Sequence, residues 1–86
     1  MKYELLYSKD FAKFINKHKN IAPKIKESFE LLATNPYDNT LDVKKLQGKE
    51  SHFRLRISKY CFLYEIINDK LLIYAHKAES RGSVYK

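Results

Sequence analysis

The sequence predicts an α+β fold, a two-helix N-terminal hairpin packed on a small, mainly antiparallel four-stranded sheet. Three observations carry that expectation. Apolar residues recur at helical spacing between Phe11 and Leu32, they alternate with polar residues from His52 onward, and a stretch rich in Pro, Asn and Asp separates the two regimes.

Tyr3 to Tyr7 is a short aromatic and aliphatic run suited to a first strand, closed by Ser8, a good helix N-cap residue. Phe11, Phe14, Ile15 and His18 then follow the i, i+3, i+4, i+7 rule, with Lys9, Lys13, Lys17 and Lys19 largely on the other side. That pattern describes an amphipathic helix with a basic outer face. Asn20 to Pro23 interrupts it and starts another helix, because proline is tolerated in a first turn, where its missing N–H would be unpaired in any case. Ile21, Ile25, Phe29 and Leu32 continue at helical spacing until Asn35-Pro36, where the residue before proline avoids helical backbone.

Tyr37 to Val43 reads as loop, and Lys44 to Gly48 leads into the sheet. Phe53, Leu55 and Ile57 alternate with His52, Arg54 and Arg56, a half-buried strand with its cations outward. Ser58-Lys59 is a two-residue turn. Tyr60 to Ile67 is apolar on both faces, which suits a central strand, and Asn68-Asp69 turns the chain into a last strand from Leu71 to His76. These three strands form an antiparallel meander, and Tyr3 to Tyr7 is expected to join it beside its first strand.

A chain of 86 residues is expected to form one domain, 1–86, around one core. Its hydrophobic content of 44%, with 14% aromatic residues, is enough for a packed interior and argues against disorder. Cys61 is the single cysteine, so an intrachain disulfide and a thiolate zinc site are both excluded. The N-terminal residues hold no apolar run of signal-peptide length and nothing approaches a membrane span, so a cytoplasmic protein without a membrane partner is expected. Seventeen Lys and Arg against ten Asp and Glu give a net charge of +7, which favours nucleic acid or another acidic partner.

The chemistry concentrates in the second half. If Phe53, Leu55 and Ile57 face the helices, Arg54 and Arg56 stand side by side on the open face, roughly 7 Å apart by two strand rises, a spacing that suits neighbouring phosphates. The same pattern also describes a solvated strand face. Arg81 and Tyr85 could add a phosphate clamp and an aromatic platform for a base, or Tyr85 could simply anchor the terminus. His18, His52 and His76 are candidates for proton transfer, His18 least of all because it sits on the apolar stripe of the first helix. No His or carboxylate pair shows metal-ligand spacing, and Gly48 and Gly82 form no phosphate-binding loop, so neither a metal nor a nucleotide cofactor is expected.

Lys45 to Gly48 (KLQG), Phe53 to Ile66 (FRLRISKYCFLYEI) and the terminal Arg81 with Val84-Tyr85 together resemble the RelE/ParE superfamily of type II toxin–antitoxin modules, closest to its RelE branch. The resemblance spans nearly the whole chain. It implies a RelE-like fold and a metal-free endoribonuclease that cuts messenger RNA in the ribosomal A site. It also implies that Arg54, Arg56, Arg81 and Tyr85 hold the family's basic and aromatic site positions, with His52 a candidate base just before the strand. The partners it implies are a cognate antitoxin, messenger RNA and the ribosome. The family commonly carries an arginine where this chain has Cys61. That departure keeps alternatives in view: a ParE-like gyrase inhibitor, or a weakened toxin whose main role is antitoxin binding.

Overall fold

Ser8 ends the first strand and starts the first helix with one side chain. Its Oγ accepts from the Phe11 N–H at 3.1 Å, the N-cap bond expected of serine, and donates to the His76 carbonyl at 2.8 Å, tying the helix start to the last strand. The computed structural model describes residues 2–37, 40–48 and 51–80, and Arg81 and Tyr85 lie outside them. Its elements are β1 (Glu4–Tyr7), α1 (Lys9–Lys17), α2 (Ala22–Thr34), β2 (Val43–Lys45), β3 (His52–Ile57), β4 (Tyr60–Ile67), a short 3-10 turn (Asn68–Lys70) and β5 (Leu72–Ser80).

The helical hairpin is where the periodicity puts it. Pro23 occupies the first turn of α2, and the helix ends at Asn35, immediately before Pro36. The sheet, however, has five strands in the order β1-β5-β4-β3-β2, not four. The strand missing from the sequence reading is β2, which lies at the edge and is only Val43-Lys44-Lys45, too short to show an alternating pattern. A second correction concerns β1. It pairs in parallel with β5, from Glu4 opposite Leu72 to Tyr7 opposite Ala75, and does not lie beside β3. Parallel pairing needs a long crossover, and here nearly the whole chain intervenes, so no local pattern announces it. β5 also runs on to Ser80 instead of ending at His76.

One face of the sheet meets the helices. Phe11, Ile15, Ile25, Phe29 and Leu32 from the helices pack with Leu55, Ile57, Phe62, Tyr64, Ile66, Ile73 and Ala75 from the strands. Aromatic edges join the layers: Phe29 lies edge-on to Phe11 at 5.4 Å and to Tyr64 at 5.5 Å.

Tyr64 is fully buried, and among the described residues its hydroxyl has no hydrogen-bond partner. Burial, reinforced by nearby Tyr37, holds this phenol well above its ordinary range. A phenol that resists ionisation in the folded state makes the fold lose stability as pH rises above about 10, where the unfolded chain releases the proton first. Tyr64→Phe removes an uncompensated polar group. Thermal melts of this variant are therefore expected to show stability at pH 7 equal to or greater than the parent's, and a shallower loss above about pH 10.

Candidate nucleic-acid interface

Alternation along β3 sends Leu55 and Ile57 into the core and His52, Arg54 and Arg56 to the opposite face, which carries no helix among the described residues. The register then decides their neighbours. Arg54 stands between Lys44 on β2 and Leu63 on β4. Arg56 stands opposite Cys61, and His52 opposite Glu65. On β5 the corresponding partners are Lys77 for Leu63, Glu79 for Cys61 and Tyr74 for Glu65.

Lys44 and Arg54 are like charges placed directly opposite each other, an arrangement that costs some stability in a sheet and that an anion resting between them relieves. Arg56 Nε donates to Asp42 Oδ2 at 3.0 Å, and its backbone N–H donates to the Asp42 carbonyl at 2.9 Å, so part of its charge is neutralised within the chain. Lys77 is likewise paired with Glu79, Nζ to Oε2 at 3.3 Å. The face thus carries Lys44, Arg54, Arg56 and Lys77 together, with Arg56 and Lys77 held in ion pairs to Asp42 and Glu79.

A polar cluster lies along the row beside Arg54. His52 Nε2 is 3.8 Å from Glu65 Oε1, and Ser51 Oγ is 3.4 Å from His52 Nδ1 and donates to Glu65 Oε2 at 3.4 Å. The His76 ring lies 5.7 Å from that of His52. Strict alternation along β5 would set His76 against its neighbours differently, but the β4–β5 register shifts between Leu63 and Tyr64. Lys77 pairs with Leu63 and Ala75 with Tyr64, leaving His76 as the extra residue of a bulge.

The structure therefore brings His52, Arg54 and Arg56 to one face and adds Lys44, Glu65 and His76 to them. Sequence reasoning named His76 but had no reason to set it against His52, and it passed over Glu65 as one residue of a mostly apolar strand. The alternation of β4 was the available signal, since it sends Cys61, Leu63 and Glu65 to one side together. His18 goes elsewhere: it caps α1, stacks on Phe14 at 3.9 Å and meets the edge of Tyr60 at 5.2 Å. Cys61 is 1% exposed between Arg56 and Glu79. Arg81 and Tyr85 fall outside the described residues.

No family model matches the chain. The chain is 36% identical over 64 residues to a protein of Methanocaldococcus jannaschii named as a RelE1 toxin, a match covering 73% of this chain and 71% of that protein. Among solved structures it is similar to the RelB–RelE antitoxin–toxin complex of Methanococcus jannaschii, with 29% identity, a TM-score of 0.74, and 94% of this chain and 95% of that one covered. The archaeal RelE–RelB complex of Pyrococcus horikoshii shares the fold, with a TM-score of 0.82, 24% identity, and 95% and 98% covered. The isolated RelE toxin of Escherichia coli also shares it, at 17% identity and a TM-score of 0.76, with 91% and 83% covered.

Proposed function

The chain belongs to the RelE branch of the RelE/ParE toxin superfamily, and from that premise we propose that it is a metal-independent endoribonuclease acting on translated messenger RNA in the ribosomal A site. The observation that carries this reading is the pairing of Lys44 with Arg54 on the sheet face opposite the helices, beside Arg56. In a chain of net charge +7, that face suits a polyanion better than a protein surface of mixed charge.

In this reading the 2′-hydroxyl of the nucleotide before the cut attacks the adjacent phosphate and expels a 5′-hydroxyl, a route open to RNA and closed to DNA. Arg54 and Arg56 neutralise the charge that builds on the phosphoryl oxygens, the role for which the guanidinium fork is suited. Arg81 supplies a further phosphate contact, and Tyr85 a surface on which a base stacks. A cognate antitoxin partner is supported by the RelB-bound state of two of the similar structures and by the positive charge it would offset. The near-complete overlap with those toxin chains supports one domain over residues 1–86.

Cys61 favours a second reading, a weakened toxin that serves mainly to bind its antitoxin, because a buried thiol offers no phosphate contact at the centre of the face. One experiment separates the two. On induced expression, growth arrest accompanied by new messenger 5′ ends within codons is the expected result. Arrest with intact messengers and blocked DNA supercoiling would overturn the proposal in favour of gyrase inhibition, and normal growth with intact messengers would favour the weakened toxin.

A further inference from the structure

Glu65 sets a negative charge into the basic sheet face opposite the helices. Asp42 is bonded to Arg56 there, and Glu79 to Lys77. Glu65 keeps different company: among the described residues its polar partners are Ser51 Oγ, 3.4 Å from Oε2, and His52 Nε2, 3.8 Å from Oε1. Both contacts are long and a carboxylate has about four lone-pair positions, so Glu65, with its side chain 30% exposed, retains acceptors for a further donor. A phosphate is repelled from such a group. A neutral donor edge is not, and in RNA such edges belong to the bases.

Tyr74 stands beside Glu65 across the β4–β5 pairing, and Leu6 stands beside Tyr74 across the β5–β1 pairing. Ile73 and Ala75 are buried in the core, so alternation sends Tyr74 to the face that carries Glu65. Tyr74 is partly exposed and Leu6 is 50% exposed, so the tyrosine has an apolar flank on one side and a carboxylate on the other. The His76 ring lies against it at 5.9 Å, tilted by 34°, and is in turn 5.7 Å from His52. His76 Nε2 is buried, which fits a supporting ring.

From Leu6 to Glu65 is two strand spacings, roughly 10 Å, room for one base to lie on the tyrosine with its edge at the carboxylate. Arg54 pairs with Leu63, two residues from Glu65 along β4, so the Lys44 and Arg54 cations lie one row away. That row is roughly 7 Å along the strand, within the span of a single nucleotide.

We propose that Tyr74 and Glu65 form a base-reading site that selects guanine at a nucleotide flanking the cut, Tyr74 as stacking surface and Glu65 as acceptor; this deepens the ribonuclease reading above and rests on it. Guanine suits a carboxylate because its N1–H and its N2 amino group are adjacent donors, and one oxygen accepts from each. Adenine, cytosine and uracil each present a single donor flanked by an acceptor, which a carboxylate oxygen repels.

The test uses the full chain and ribosomes programmed with short messengers that carry guanine or inosine at each A-site position in turn. Inosine lacks only the N2 amino group. At one position the parent should cleave the guanine messenger with kcat/KM about 10- to 100-fold above its inosine counterpart, the worth of one hydrogen bond to a charged acceptor. Glu65→Gln should bring that ratio to within about twofold and raise adenine relative to guanine at the same position, since a glutamine amide matches adenine's donor and acceptor. The ratio is read within one variant, so a general loss of rate through His52 cancels. Glu65→Ala repeats the comparison if the glutamine variant fails to fold. Tyr74→Leu, which keeps apolar bulk without a ring, should lower kcat/KM on both messengers by about 5- to 100-fold, and Tyr74→Phe should retain the parent's value.

A guanine-to-inosine ratio that survives in folded Glu65→Gln or Glu65→Ala would overturn the acceptor role, and a folded Tyr74→Leu that cleaves like the parent would overturn the stacking surface. A parent that cuts messengers with no such ratio at any position overturns the base-reading site and leaves the ribonuclease reading standing. A parent that cuts no messenger overturns both.

Discussion

Phe29→Ala is expected to destabilise the fold by about 3–5 kcal/mol, the usual cost of emptying a fully buried phenylalanine site. Phe29 is 0% exposed and touches three separate elements: Tyr7 on β1, Phe11 on α1 and Tyr64 on β4. Its ring is therefore the point at which α2 is held to both the other helix and the sheet. The neighbours that would have to collapse into the space are themselves aromatic and locked edge-to-face, so relaxation recovers little of the loss. Small domains are stable by only about 5–15 kcal/mol, so the melting temperature should fall by roughly 15–30 °C. Leu31→Ala, on the exposed side of the same helix at 44% accessibility, should move it by only a few degrees, and thermal melts followed by circular dichroism compare the two directly.

Arg54→Ala is expected to lower the rate of messenger cleavage by about 10²- to 10³-fold with the melting temperature nearly unchanged, as loss of one preorganised donor to a developing oxyanion does elsewhere. Arg56→Ala should cost about tenfold, because Asp42 already engages the Arg56 guanidinium at 3.0 Å and a phosphate must compete with that carboxylate. Asp42→Asn separates position from charge. It keeps the side chain's shape while releasing Arg56, and should leave the rate equal to or above the parent's. Single-turnover rates on programmed ribosomes measure all three. A loss in Arg56→Ala well above about tenfold would show that the Asp42 pair does not discount Arg56, and no loss in Arg54→Ala would remove it from the site.

Much of this fold is written locally. Ser8, Pro23 and Asn35-Pro36 mark helix ends because capping and proline chemistry act within a turn, and the stripe from Phe11 to Leu32 shows which helical face is buried. The alternation from His52 to Ile57 likewise reveals that Arg54 and Arg56 share a side. β2 was not legible, because three residues with two adjacent lysines carry no period. The parallel seat of β1 against β5 was not legible either, since it joins the two ends of the sheet-forming chain through pairing that neither segment specifies alone.

The candidate site divides along the same line. Sequence by itself determined a basic α+β chain with a helical hairpin, a strand presenting His52, Arg54 and Arg56 on one side, and the motifs that place it among RelE toxins, because periodicity and side-chain alternation are properties of neighbouring residues. Only the tertiary structure decided which charges meet: Lys44 beside Arg54, Asp42 on Arg56, Glu65 and Ser51 around His52, and His76 carried to His52 by a one-residue bulge. Strand register is set by packing across the whole sheet, and a slip of one residue sends every side chain to the other face, so these pairings become defined only when the core closes.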